Sequence, residues 1–142
     1  HGVDVSDEML RLGRERMKEH PNVQLHRVEG TSLKQFSDKH FQVMWSYSVL
    51  YHMPRNVYYA YLKELSRVMA PGGLLIYQLA QLYSIRRWLN AIFRSEYGDG
   101  DTNKRRFYTP GHLRSLAAEN GFEVLAIEPG PGHDLWCHWR KK

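Results

Sequence analysis

Short apolar runs of strand period alternate along this chain with amphipathic segments of helical period, and that alternation limits its fold more than any other feature. Val23-Gln24-Leu25-His26-Arg27-Val28 alternates at period two and ends at Glu29-Gly30. Phe41-Gln42-Val43-Met44-Trp45-Ser46 is a short apolar run of the kind covered on both faces in a parallel sheet, and Leu74-Leu75-Ile76-Tyr77-Gln78-Leu79-Ala80 is the strongest strand. A helix opens after Ser6 with Asp7 and Glu8 in its first turn, sets Met9, Leu10, Gly13 and Met17 on one face, and stops before Pro21-Asn22. The polar loop over residues 31–39 has Leu33 and Phe36 as anchors. A second helix covers residues 55–69 with Val57, Tyr58, Tyr61, Leu62, Leu65 and Val68 inward, and Pro71-Gly72-Gly73 ends it.

Residues 82–93 carry helical spacing through Trp88, Leu89 and Ile92, and residues 97–101 read as a loop. Thr109-Pro110 caps a third regular helix, which ends at Asn120-Gly121. Residues 122–128 alternate like a strand, residues 129–132 turn, and residues 134–139 return antiparallel. Strand, helix, strand, strand, helix, strand, helix, helix, strand, strand is the order of an α/β sandwich with a mostly parallel sheet.

With 142 residues the chain makes one domain, spanning residues 1–142, large enough for a real core. Hydrophobic residues at 42% and charged residues at 25% exclude disordered, collagen-like and coiled-coil classes. The absence of a long apolar run argues against a spanning helix or a membrane partner and makes the cytoplasm the expected location. One cysteine, Cys137, forms no internal disulfide, and the eight histidines lack metal-ligand spacing, so no metal is expected. The net charge of +5 comes from Arg86-Arg87, Arg94, Lys104-Arg105-Arg106 and Arg140-Lys141-Lys142. Acids at Glu96, Asp99 and Asp101 interrupt these clusters, which fits a solvated basic face better than a nucleic-acid interface.

Chemistry concentrates at the opening residues. Gly2-Val3-Asp4-Val5-Ser6 is an apolar strand that delivers one carboxylate and turns through a serine into a helix. An open α/β sheet presents an acid to a pair of ribose hydroxyls in this way. Together with Met9-Leu10, Val28-Glu29-Gly30, residues 41–46, Leu50-Tyr51-His52 and Arg67-Val68-Met69-Ala70-Pro71-Gly72-Gly73, this strand resembles the S-adenosylmethionine-dependent methyltransferases of the Rossmann-like class, in the branch that modifies small molecules. Residues 107–124 are similar to that family's last helix and strand. The resemblance implies a Rossmann-like three-layer sandwich with an antiparallel C-terminal strand, S-adenosyl-L-methionine as cofactor and a small-molecule methyl acceptor.

By that resemblance Asp4 accepts from both ribose hydroxyls, with Val5 beside it; capping the helix alongside Ser6 is the structural alternative. Thr31 stands where the family usually has an Asp for the adenine amino group, so by the resemblance Thr31, Ser32 and Leu33 hold the adenine without charge assistance; a solvated turn threonine is the alternative. Ser46 and Tyr47 lie at the end of a central strand, where the family contacts its cofactor; Tyr47 and Tyr51 as aromatic core is the alternative. His52 is a candidate general base for an acceptor hydroxyl or amine, or an ordinary loop histidine. Residues 83–108, basic and aromatic, are where an acceptor is selected, unless they only pack on the sheet.

The family's first strand, its first helix and its glycine-rich loop have no counterpart here. An absent central strand leaves backbone groups on both neighbours unpaired, at about 1–3 kcal/mol each if buried. The expectation is therefore a fragment of a longer enzyme, a rearranged sheet in which the flanking strands pair, or a strand supplied by another chain. Two other readings stand beside it: a methyltransferase-like domain that serves as an interaction or regulatory partner, and a nucleic-acid methyltransferase using the basic segment.

Overall fold

The computed structural model describes residues 1–81, 106–130 and 134–142. The expected helix over residues 82–93, the loop over 97–101 and most of the basic clusters lie outside the described residues.

A three-residue strand β1 (Gly2–Asp4) leads into α1 (Asp7–Arg16), and β2 (Leu25–Arg27) returns parallel to β1. Ser6 is the N-cap of α1, its Oγ accepting from the Met9 N–H at 3.3 Å. Gly13 lets the helix sit on β2, since a Cβ there would meet Leu25 Cδ1 at 2.7 Å. The helix ends a turn earlier than the sequence suggests, and of its inner stripe only Leu10 is buried; Met9 and Met17 are exposed.

β3 (Phe41–Ser46) starts and ends where the sequence places it, and α2 (Arg55–Val68) buries Tyr58, Tyr61, Leu62, Leu65 and Val68, with Val57 half-buried. The helix passes directly into β4 (Met69–Gln81), so Pro71-Gly72-Gly73 lies inside the extended segment and not at the helix end. Register explains it: Phe41 pairs with Met69 but Val43 already pairs with Leu74, so residues 70–73 loop out beside β3. Gly72 has φ 78°, and a Cβ on Gly73 would meet Gln42 O at 3.0 Å.

β5 (Phe107–Tyr108) pairs parallel with Ala80 and Gln81, on the reach of β4 beyond its pairing with β3. α3 (Pro110–Glu119) begins at Thr109, whose Oγ1 accepts from His112 N–H at 3.2 Å, and ends at Asn120 with Gly121 at φ 71°. β6 (Phe122–Gly130) and β7 (Asp134–Lys141) are antiparallel, and β7 inserts between β6 and β4.

Leu75, Tyr77 and Leu79 of β4 stand beside Trp139, Cys137 and Leu135 of β7, and all six are buried in the core with the inner faces of α2 and α3. The Tyr58 and Tyr77 hydroxyls meet at 3.1 Å, and burial pushes both phenols well above their ordinary value and the Cys137 thiol up to about 12. The opposite face of β3 is open among the described residues, where Val43 is 60% and Trp45 66% exposed. That corrects the expectation that β3 is covered on both faces. Among the described residues no helix is long and apolar enough to cross a membrane.

The described strands form two sheets, β1-β2 and β3-β4-β7-β6 with β5 attached, and β1 does not pair with β3. On β1 the Gly2 N–H donates to Gln24 O at 2.8 Å and Asp4 O accepts from Val28 N–H at 3.0 Å. Alternate residues of a parallel strand address the same neighbour, so the Val3 peptide groups face away from β2. The Val3 amide should therefore exchange with solvent deuterium about tenfold or more faster than the Val28 amide. Equal protection of the two would show that β1 is paired on both edges.

Candidate functional site

The ends of β1 and β3 open onto one cavity of about 640 Å³. Gly2, Val3, Asp4 and Val5 line one wall, and residues 43–47 line the facing one. Leu33 and Phe36, the two anchors expected from the sequence, are buried and form part of its side, with Met44, Leu50 and Leu75 among the apolar groups beneath. His1, at the start of β1, lies 5.7 Å centroid to centroid from Phe41 at the start of β3. The two strands thus begin side by side and end at the same cavity, which makes them run in the same direction with an open interval between them.

Asp4 is half-buried at the mouth of this interval. Its Oδ1 accepts from the Ser6 N–H at 2.8 Å, which fixes the carboxylate against the entry of α1. A carboxylate has about four acceptor positions, so one bond to the backbone leaves Oδ2 wholly available. Among the described residues Oδ2 has no partner, and the capping and ligand-binding alternatives for Asp4 are compatible in one geometry.

Ser46 and Tyr47 line the cavity opposite Asp4, and Val5 and Leu33 join them. Tyr47 is exposed and stacks between Trp45 and Trp136, at 6.1 and 5.9 Å with interplanar angles of 4° and 16°. Thr31 and Ser32 are not brought to this cavity; both are half-buried in the turn that follows Gly30 (φ 56°), and Ser32 lines a separate hollow of about 190 Å³. His52 also stands off the lining. It belongs to a 3₁₀ turn, Leu50–His52, rests against Tyr51 at 4.3 Å, and its buried Nδ1 has no hydrogen-bond partner among the described residues. Of the acceptor-selecting segment, only Arg106, Phe107 and Tyr108 lie within the described residues, and there they serve β5 and the core.

Two contributions to the site were invisible in the sequence. One is the ring cluster of His1, His26, Phe36, His40 and Phe41, with centroids 4.6 to 5.8 Å apart, which gathers residues from β1, β2 and β3. Only folding brings them together. The other is a clamp from α2 onto the loop over residues 31–39. Glu64 accepts from the Leu33 N–H at 3.0 Å and is paired with Arg67 at 2.9 Å, while Arg67 donates to Leu33 O and Phe36 O, both at 3.1 Å, and to Asp38 at 2.7 Å. The two acids and two carbonyls leave the guanidinium fully engaged, and their spacing in sequence gives no hint of the loop they hold.

A family described as a methyltransferase domain matches residues 1–73. The demethylmenaquinone methyltransferase of Staphylococcus saprophyticus is 39% identical over 77 residues, a stretch that takes in 53% of this chain and 31% of that enzyme. The chain thus spans about a third of the length of this curated relative. Among solved structures, an S-adenosylmethionine-dependent methyltransferase from Methanosarcina mazei superposes with a TM-score of 0.73 at 16% identity, covering 99% of this chain and 80% of that one. A further such enzyme, from Thermotoga maritima and described as a possible histamine N-methyltransferase, gives 0.70 at 21% identity over 99% and 72%. The shared architecture is the Rossmann-like α/β fold.

The Glu64–Arg67 clamp has a pH signature. Hydrogen bonds from Arg67 first, then from the Leu33 N–H, hold the Glu64 carboxyl down to about 2 from an ordinary 4.5, while the same pair raises Arg67. A depressed carboxyl stabilises the fold fully above pH 4.5 and loses that contribution as pH falls toward 2. Glu64→Gln should cost about 1–2 kcal/mol at neutral pH, discounted for the partial exposure of the pair. The melting difference from the unsubstituted chain should shrink on acidification through this window. An equal difference at neutral pH and near about pH 3 would rule out an ionised clamp.

Proposed function

Because the chain belongs to the methyltransferase-domain family, we propose that it carries the cofactor-binding part of an S-adenosyl-L-methionine-dependent methyltransferase acting on a small-molecule acceptor. One observation carries this reading: Asp4, whose second carboxylate oxygen has no partner among the described residues, lines a cavity of about 640 Å³ whose other walls are largely apolar. A carboxylate with one oxygen fixed and one open suits a vicinal diol, which needs two acceptors close together.

In this reading Asp4 holds the ribose and Val5 and Leu33 form the apolar walls against the adenine. Thr31 and Ser32, which stand off the cavity, have no part in this assignment. Ser46 and Tyr47 bound the cofactor on the facing strand. The cofactor supplies an activated methyl group on a sulfonium, so the protein's task is to align an acceptor with it and exclude water. His52, on the loop that follows Tyr47, is assigned the proton of an acceptor hydroxyl or amine; its Nδ1 is buried, so the role falls to Nε2.

The same reading makes the chain a fragment of a longer cytoplasmic polypeptide, a further strand of which enters between β1 and β3. The outward Val3 peptide, the exposed Val43 and Trp45, and the greater length of the curated relative support this. A strand in that interval would bond to both edges at once and remove the unpaired backbone along them.

Calorimetric titration with S-adenosyl-L-methionine tests the proposal. Asp4→Asn keeps an acceptor for the Ser6 N–H but places an amide where the diol needs a second acceptor. It should weaken binding by about tenfold or more, in line with the loss of a charged hydrogen bond, at an unchanged melting temperature. Equal affinity of the Asn variant would sink the assignment of Asp4 to the ribose.

A further inference from the structure

Gln78 is a polar residue inside β4, only 5% exposed, on the strand that makes the core. Its amide spans two elements. Oε1 accepts from the Ser48 N–H at 3.1 Å, and Nε2 donates to Asp134 Oδ2, at the start of β7, at 2.6 Å. The orientation is forced: a backbone N–H only donates and a carboxylate only accepts, so a flipped amide would break both bonds.

Ser48 needs such a hold. It has φ 58°, a left-handed conformation that costs a non-glycine residue about 1–3 kcal/mol and persists only where its surroundings impose it. Its Oγ meets Tyr51 OH at 2.6 Å, and Tyr51 O in turn accepts from the Arg106 N–H at 2.8 Å. The reversal at Ser48 separates Ser46 and Tyr47, which line the cavity, from the 3₁₀ turn that carries His52.

We propose that Gln78 is a positioning residue for this cavity: by fixing the strained Ser48 peptide, it sets where Ser46 and Tyr47 meet a ligand and where the His52 turn begins. Asp134 orients Gln78 and acts one step further out. The inference deepens the reading of the cavity as an S-adenosyl-L-methionine site and rests on it for its binding readout alone.

Two measurements on the full chain test it: hydrogen exchange of the Ser48 amide and titration with S-adenosyl-L-methionine. Gln78→Glu sets a carboxylate against Asp134 and should speed Ser48 exchange, and weaken binding, by about tenfold or more. Combining it with Asp134→Asn recreates a donor and acceptor in reversed roles, and should bring both quantities back to within about threefold of the unsubstituted chain. Gln78→Met, which keeps the volume and makes neither bond, also removes the acceptor for the Ser48 N–H, and should speed Ser48 exchange and weaken binding by about tenfold or more. Unchanged Ser48 exchange in Gln78→Met, or a double variant no better than an impaired single one, would overturn the proposal. If the unsubstituted chain shows no binding, the ligand assignment falls, and the Ser48 exchange still decides the role of Gln78.

Discussion

The structure is assembled on β4. Its edges pair with three strands, β3 and β5 along one side and β7 along the other, and its inner face supplies Leu75, Tyr77 and Leu79 to the core. Parallel pairing with β3 and antiparallel pairing with β7 place Met44, Leu75 and Trp139 at one level and Ser46, Tyr77 and Cys137 at the next. A shift of one residue would turn this buried set to the opposite face, so the register of β4 fixes what lies at the end of β3. The cavity-lining loop after Ser46 inherits its position from a packing decision made in the core. Gln78 makes that inheritance direct, because it is both a buried position of β4 and the partner of Ser48.

Features whose causes are local were legible in the sequence. Thr109 and Pro110 open a helix because a hydroxyl and a preset φ satisfy its first turn, and Gly121 closes it by taking a positive φ. Leu33 and Phe36 are anchors because they are the large apolar groups in an otherwise polar loop. Asp4 was legible for the same reason: a carboxylate between an apolar strand and a serine cap has few places to go. Features that depend on distant partners were not. Pro71-Gly72-Gly73 reads as a helix stop, yet the stop comes earlier, at Val68, because Met69 is already recruited to pair with Phe41. The cover expected on both faces of β3 depends on what packs there, and an apolar run states only that it suits burial. The Glu64–Arg67 clamp joins residues some 30 positions apart and has no sequence signature.

Two independent devices converge on the cavity, one from each side of the sheet interval. Glu64 and Arg67 hold the loop that carries Leu33, and Gln78 with Tyr51 holds the loop that follows Ser46. Each uses a charged or amide group to satisfy backbone N–H or C=O groups that would otherwise be left bare at a partly buried turn. The walls of the cavity are thus built from loops, but loops pinned to α2 and β4, and pinning of this kind limits how much ordering a ligand must impose when it binds.

Asp4 differs from these groups in having the least support. It sits on a three-residue strand paired on one edge, and its own orientation comes from a single bond to the Ser6 N–H. Its neighbour β3 is pinned through β4, so the two walls of the cavity differ in rigidity. The distance from Asp4 to Ser46 is set by whatever bridges the interval between β1 and β3, a strand or a ligand. The interval is bounded by the outward backbone of β1 and by Asp4, whose second carboxylate oxygen has no partner among the described residues. A strand entering there would pair the backbone of β1 and close the wall beside Asp4.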